Sequence, residues 1–254
     1  MPRYPRYGDV SYAFGPGPWS PAVKILILAN IAAFLLSLIV PDVIVRLGLS
    51  PAAVFGQLGV WQLVTYMFLH GGIGHLFWNM LSLWMFGTDL ERTWGTRFFT
   101  KYYFVTGIGA GMTTLLWSLS PLPLAEQMYY TVTIGASGAI YGVLLAYALY
   151  FPHRQLYVYA LFPVKAKYFV MIIGAITLLS SIQGGGGVAH TAHLGGLVVG
   201  YLYLKGLKNR PFDELKYRWL RWRMNRARGR FDVHTGGRRG DDDSWKSDWK
   251  KHIH

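Results

Sequence analysis

Three short segments place polar side chains that could catalyse acyl transfer inside otherwise apolar stretches. They read "HGGIGHLFWNM" (70–80), "TIGASGAIYG" (133–142) and "AHTAHLGGLVVG" (189–200). A serine is a poor nucleophile until a base removes its proton, and histidine is the most frequent base. Ser137 in the second segment therefore needs a partner, and the histidines of the other two segments are the candidates.

The spacing within the first two segments brings pairs of side chains onto one helix face. His75 and Asn79 are four residues apart, as are Ser137 and Tyr141, and residues four apart are neighbours on a helix. The phenol ring of Tyr141 would therefore cover the face next to the Ser137 hydroxyl. The His75–Asn79 pair alone fits an interhelical hydrogen-bonding pair equally well.

Small residues around the serine and in the third segment favour close helix packing. Gly196 and Gly200 form a seam that lets another helix approach. If that helix carries Ser137, with Gly135 and Gly138 beside it, His193 comes within reach of the hydroxyl. The alternative is a packing seam in which the serine bonds to a carbonyl one turn earlier. Acidic residues lie away from this cluster, so we expect a Ser–His pair without an acid.

Composition indicates that the helices carrying these residues cross a membrane. Hydrophobic residues make up 52% of the 254 residues and charged residues only 15%. The charge is concentrated after residue 204, where 15 of the 25 Lys and Arg residues lie. The preceding residues are too apolar for a soluble domain, so we predict an all-α polytopic membrane protein.

Apolar runs of about 20 residues cross the roughly 30 Å hydrocarbon core of a bilayer. We predict six such spans, which are Lys24–Val40, Gly74–Thr88, Phe98–Ser118, Ile134–Phe151, Tyr168–Ile182 and Thr191–Leu204. The long apolar connection between the first two is expected to form short amphipathic pieces in the interface. The predicted organisation is an N-terminal segment (1–20), a six-helix domain (21–207) and a basic, partly disordered tail (208–254).

Basic residues in the short loops predict the orientation. With the N-terminus inside, nine Lys and Arg residues before the tail are cytoplasmic, and only Arg46 lies on the opposite side. Both termini are then cytoplasmic, as expected for a plasma or inner membrane protein, and the polar cluster opens to the extracytoplasmic side. The nine are Arg3, Arg6, Lys24, Arg92, Arg97, Lys101, Arg154, Lys165 and Lys167.

The net charge of +13 suggests a lipid partner more than a nucleic acid. The tail segment "KYRWLRWRMNRARGR" (216–230) combines Trp with Arg, which suits an anionic headgroup surface. The chain contains no cysteine, which excludes disulfides, thiolate catalysis and Cys-based zinc sites. The N-terminal segment does not fit a cleavable signal peptide.

The three segments together resemble the rhomboid family of intramembrane serine proteases. The family pattern is His-x4-His-x3-Asn, then Gly-x-Ser-Gly-x2-Tyr, then Ala-His-x2-Gly-x3-Gly, on the second, fourth and sixth helices. The matching residues here are His70, His75, Asn79, Gly135, Ser137, Gly138, Tyr141, Ala192, His193, Gly196 and Gly200. "LERTWG" (90–95) also resembles the family's acidic residue and glycine after the second helix.

The resemblance implies roles for these residues. Ser137 would be the nucleophile and His193 the general base. Asn79 and His75 would join the Ser137 backbone N–H in an oxyanion hole, Tyr141 would support His193, and His70 would be a supporting residue. The substrate would be a transmembrane segment of another membrane protein, with no cofactor and no metal required; the oligomeric state is not implied.

Two alternatives stay open, together with one departure from the family pattern. The chain could be a His-dependent metal enzyme or transporter using His70, His75, His190 and His193, although it lacks a His-Glu-x2-His motif. It could also be a non-catalytic rhomboid-like protein that binds transmembrane helices. The family's interfacial loop commonly carries a Trp-Arg pair, whereas this chain has Trp61 and Gln62, which questions how the loop is anchored.

Overall fold

The computed structural model describes residues 15–121, 123–158, 162–182, 187–209 and 221. The helices are α1 (Pro21–Ile39), α2 (Asp42–Leu47), α3 (Pro51–Gln57), α4 (Gln62–Thr65), α5 (Ile73–Ser82), α6 (Thr88–Trp94), α7 (Thr96–Ser118), α8 (Pro123–Tyr130), α9 (Ser137–Tyr150), α10 (Ala166–Ile182) and α11 (Gly187–Asn209). A two-stranded hairpin, β1 (Gln155–Val158) and β2 (Phe162–Lys165), connects α9 to α10. The chain divides into a compact unit Met1–Lys208 and a second unit Asn209–His254. The predicted tail (208–254) lies outside the described residues except at positions 208, 209 and 221.

The central helix of the first unit is α9, which is apolar and buried around most of its circumference, as expected of a core helix. It packs on α7 through small residues. A Cβ at Gly142 would meet the Thr106 side chain at 2.7 Å, and the Tyr102 hydroxyl donates to the Gly142 carbonyl at 2.8 Å. This close contact holds α9 in a fixed position along α7.

The second predicted span forms one continuous helical run. Helix α5 passes through a π-helical turn (Leu83–Gly87) into α6. Beyond the C-terminal end of the predicted second span, the buried Glu91 carboxylate accepts hydrogen bonds from the Ala22 and Val23 N–H groups and the Ser20 hydroxyl at the start of α1. Since the first N–H groups of a helix lack intrahelical acceptors, Glu91 caps α1 from another helix.

The long connection between α1 and α5 contains α2, α3, α4 and a 3₁₀ turn (Tyr66–Phe68). Its backbone pairs with the segment that precedes α9. Leu49 and Thr133 exchange N–H to carbonyl hydrogen bonds of 2.9 and 2.8 Å, and the Gly135 N–H donates to the Tyr66 carbonyl at 2.9 Å. The connection therefore fixes the entry to α9.

Three features differ from the sequence predictions. The fourth predicted span begins at Ile134, but α9 begins at Ser137, because Gly135 has a φ of +124° that interrupts helical geometry. The all-α prediction omits the hairpin, in which Gln155 pairs with Lys165 and Val158 with Phe162. It also omits α8, which lies between the third and fourth predicted spans.

Among the described residues, one helix, Pro21–Ile39, is long and apolar enough to cross a membrane. Shorter apolar helices cover Ser137–Tyr150 and Ala166–Leu179. The count of six spans remains a prediction.

Candidate active site

The Ser137 hydroxyl and the His193 ring lie within hydrogen-bond distance. His193 Nε2 is 2.7 Å from Ser137 Oγ, although the two residues are 56 positions apart in the chain. Both side chains are partly buried. When Nε2 accepts the hydroxyl proton, the neutral ring carries its own proton on Nδ1. The pair has the distance that general base activation of a serine requires.

Ser137 is the first residue of α9 and not an internal helical residue. No helical turn precedes it, so its hydroxyl has no helical carbonyl one turn earlier to which it could donate. This argues against the alternative in which the serine only bonds back to such a carbonyl. The first N–H groups of a helix point outward and carry partial positive charge. The Ser137 backbone N–H is therefore available to a negatively charged oxygen beside the hydroxyl.

Glycines bring α11 close enough to α9 to form this pair. A Cβ on Gly196 would lie 1.9 Å from the Gly138 carbonyl oxygen, a distance that atoms cannot adopt. A Cβ on Gly200 would lie 2.5 Å from the Tyr102 hydroxyl and 3.3 Å from Gly142 Cα. The two backbones touch at both positions, one turn apart, and His193 lies one turn before Gly196.

Tyr141 forms one wall of the site. Its ring stacks on His193 with centroids 4.2 Å apart and planes 5° apart. Its hydroxyl lies 2.9 Å from Thr177 Oγ on α10. The imidazole is therefore held on one face by a ring that is fixed at its far end.

His75 approaches the serine from α5. The Gly71 N–H donates to His75 Nδ1 at 3.5 Å, which leaves the proton of the neutral ring on Nε2. His75 Nε2 lies 2.9 Å from the position a Cβ would take on Gly135, and Ser137 Oγ lies 3.6 Å from that same point. Glycine at 135 thus admits the His75 ring next to the serine, and His75 itself is exposed.

Asn79 and His70 complete this side of the site. The buried Asn79 amide donates to the His75 carbonyl at 2.8 Å, and the second N–H of the amide group can serve another acceptor. His70 is 1% exposed and meets His75 edge-on at 4.9 Å between centroids. The buried His70 ring therefore packs against the His75 ring.

His190 lies three residues before His193 on α11, with ring centroids 6.0 Å apart and planes at 75°. Within the part of the chain that the structure describes, no three His, Cys, Asp or Glu side chains are grouped so as to hold a metal ion.

A family model for the Rhomboid domain matches residues 57–210. The chain belongs to the rhomboid family. This family has a helical membrane fold, so the protein is a helical membrane protein.

The chain is similar to several curated rhomboid proteins. It is 32% identical to Rhomboid protease AarA of Providencia stuartii over 161 residues, which cover 56% of this chain and 54% of that protein. It is 34% identical to the mitochondrial Rhomboid protein 1 of Saccharomyces cerevisiae over 144 residues, 56% of this chain and 40% of the relative. It is also 34% identical to Rhomboid protease GluP of Bacillus subtilis over 166 residues, 63% and 28% of the two chains. This chain thus spans about half the length of the first relative and less of the other two.

The connection between α1 and α5 is anchored by Gln62, the residue at which the sequence departs from the Trp-Arg pair expected from the family resemblance. Gln62 is 2% exposed; its Oε1 accepts from the Ser50 N–H at 3.0 Å and its Nε2 donates to the Arg46 carbonyl at 3.2 Å. Trp61 Nε1 donates to the same carbonyl at 3.1 Å. The side-chain amide therefore closes the loop with two neutral hydrogen bonds.

Sequence reasoning missed the backbone contacts that hold the segment before Ser137. Leu49, Tyr66 and Thr133 contribute main-chain groups, and main-chain groups leave no signature in residue type. The positive φ of Gly135 is the one feature that the Gly-x-Ser-Gly pattern could have suggested.

Proposed function

We propose that this protein is an intramembrane serine endopeptidase that hydrolyses peptide bonds in or near transmembrane segments of other membrane proteins. The observation that carries the proposal is the 2.7 Å contact between Ser137 Oγ and His193 Nε2 at the N-terminus of α9. Similarity to relatives named rhomboid proteases supports the same reading.

In the proposed reaction, Ser137 Oγ attacks the scissile carbonyl carbon while its proton passes to His193 Nε2. The carbonyl becomes an oxyanion next to the Ser137 backbone N–H, with His75 Nε2–H and the Asn79 amide as further donors. His193 then gives its proton to the leaving amine as the C–N bond breaks. A water molecule, deprotonated by His193, hydrolyses the acyl-enzyme and regenerates Ser137. A lost oxyanion donor typically lowers kcat by about 10²–10³-fold.

The membrane arrangement of the proposal is a six-helix bundle of residues 21–207 with an interfacial loop between the first two spans. The excess of basic residues in the loops assigned to the cytoplasm supports cytoplasmic termini, in a plasma or inner membrane. Ser137 then lies at the extracytoplasmic end of α9, and the exposed His75 beside it supports access of water from that side. The basic tail (208–254) would contact anionic headgroups.

The substrate class follows from the chemistry of helices in lipid. A transmembrane helix uses every carbonyl in internal hydrogen bonds, so a peptide bond must leave its helix before Ser137 can attack. Segments with helix-breaking or small residues near the membrane surface should therefore be cleaved preferentially.

Cleavage of a tagged model transmembrane substrate in liposomes tests the proposal. The wild type should cleave it, and Ser137→Ala and His193→Ala should not, while a chelator should have no effect. A fluorophosphonate should label the wild type and not Ser137→Ala, which separates a protease that lacks its proper substrate from a non-catalytic helix-binding protein. Cleavage by Ser137→Ala, or loss of wild-type cleavage in chelator, would contradict the proposal.

A further inference from the structure

The second ring nitrogen of His193, Nδ1, has no assigned hydrogen-bond partner within the part of the chain that the structure describes. When Nε2 accepts from the Ser137 hydroxyl, His193 Nδ1 carries the proton of the neutral ring. This nitrogen is buried and has no hydrogen-bond partner among the described residues. Leaving a buried donor without an acceptor carries a free-energy cost. The cost rises when the ring takes up the serine proton and becomes positively charged.

His190, on the same helix, is a polar side chain near enough to accept this proton through a bridging group. Positions three apart lie on the same helix face, and the 6.0 Å separation of the two ring centroids is too long for a direct ring-to-ring hydrogen bond. It suits one water molecule between them, because polar groups at such separations are commonly bridged by water. The 75° angle between the planes turns one ring edge toward the other ring.

We propose that His190 is a positioning residue that acts through His193. It accepts the His193 Nδ1–H through one water molecule, orients the base toward Ser137, and stabilises the charged ring formed in the reaction. The arrangement is a Ser137–His193–His190 relay in which a neutral imidazole takes the place that a carboxylate holds in other serine proteases. The inference rests on the proposed protease function.

Protonation of His190 has a defined consequence in this arrangement. A cationic His190 can no longer accept, and its charge opposes the charge forming on His193. The other titratable side chains turned toward His193 are Tyr141 of α9 and His75 of α5. Both remain in any His190 variant, so a difference between the wild type and that variant isolates His190.

The test compares His190→Asn, His190→Leu and the wild type by fluorophosphonate labelling of Ser137 from pH 4 to 9, with kcat and KM for the model substrate. Asparagine keeps an acceptor oxygen but cannot ionise, whereas leucine keeps bulk but accepts no hydrogen bond. We expect His190→Leu to lower kcat by about 10-fold, the rate equivalent of one hydrogen bond, with KM unchanged. His190→Asn should restore most of kcat, and its labelling rate should fall less steeply with acid because one protonation is removed.

The controls separate the possible failures. His153→Leu, at an exposed histidine beyond the end of α9, should behave as the wild type. If His190→Leu does not fold, the acid limb of His190→Asn decides. Labelling of both His190 variants at the wild-type rate with an unchanged acid limb overturns the inference. Absence of wild-type labelling, or equal labelling of Ser137→Ala, overturns the proposed protease function itself.

Discussion

Tyr141 lies parallel to His193, with the ring centroids 4.2 Å apart and the planes 5° apart. The stack covers one face of the imidazole, and the tyrosine hydroxyl is held by Thr177 of α10. The orientation of the proposed base thus depends on α9 and α10 as well as on its own helix.

Replacing the ring of Tyr141 should slow catalysis. Tyr141→Leu removes an aromatic stack worth about 0.5–1.5 kcal/mol, so we expect kcat to fall by up to about 10-fold. Tyr141→Phe keeps the ring and should retain most of the activity, as should Thr177→Val, which removes the hydroxyl that pairs with Tyr141 and donates to the Ile173 carbonyl. Steady-state cleavage of the model substrate measures all three. Equal rates for Tyr141→Leu and the wild type would show that the stack does not orient His193.

A methyl group at the contact of α9 and α11 should disrupt the site. Gly196→Ala places a Cβ 1.9 Å from the Gly138 carbonyl oxygen, and because the obstacle is backbone, the helices must separate. Overpacking of this kind costs about 1–3 kcal/mol, and a displacement of about 1 Å at the reacting groups can lower the rate about 10²-fold.

The matched control for this substitution is on the same helix. A Cβ on Gly206 meets no atom within 4 Å, so Gly206→Ala should leave cleavage unchanged. Thermal unfolding in detergent and cleavage should be measured for both variants. If Gly196→Ala behaves like Gly206→Ala, the close approach of the two backbones is not what holds Ser137 and His193 together.

Loss of the Gln62 side chain should loosen the connection between α1 and α5. Gln62→Leu leaves the Ser50 N–H without its acceptor, and an unsatisfied buried group costs about 1–3 kcal/mol. Gln57→Leu is the control, since Gln57 is exposed in the same loop. Limited proteolysis between residues 40 and 72 should be faster for Gln62→Leu alone. Equal proteolysis of the two variants would mean that other contacts anchor the loop.

Glu91 should contribute stability that depends on pH. Burial alone would raise the pKa of this carboxyl, but hydrogen bonds from Ser20, Ala22, Thr96 and Val23 outweigh it and lower the pKa below the usual value. A carboxyl with a lowered pKa in the folded state stabilises the protein above its unfolded-state pKa, about 4.3 for glutamate. That contribution is lost as the pH falls through the folded-state pKa.

Glu91→Gln should therefore destabilise the protein at neutral pH, by about 1.5–3 kcal/mol for each lost hydrogen bond to charge that is not replaced. Thermal unfolding of Glu91→Gln and of the wild type should be compared from pH 7 down to about pH 2, so that the range extends below the unfolded-state pKa and through the folded-state pKa. The difference between them should shrink toward the acid end. Glu126→Gln, at an exposed glutamate, should show no such difference, and a constant gap for Glu91→Gln across this range would contradict the assignment.

The residue types of the site and the periodic placement of each pair can be predicted from the amino-acid sequence. Polar residues in apolar runs are few, so Ser137, His193, His75 and Asn79 were recognisable without coordinates. The spacing of Gly196 and Gly200 indicated a helix seam, because small residues at that period remove the side chains that keep backbones apart.

How these residues come together follows from the packing of the helices in three dimensions. Spacing within a helix is local, whereas the Ser137–His193 distance depends on how α11 seats on α9. The start of α9 at Ser137 follows from the positive φ of Gly135, whose N–H donates to the Tyr66 carbonyl. Apolarity continues through that point without a change that a hydropathy pattern could register. The anchoring by Gln62 likewise depends on which main-chain groups fold back over one side chain, and a sequence does not specify these groups by residue type.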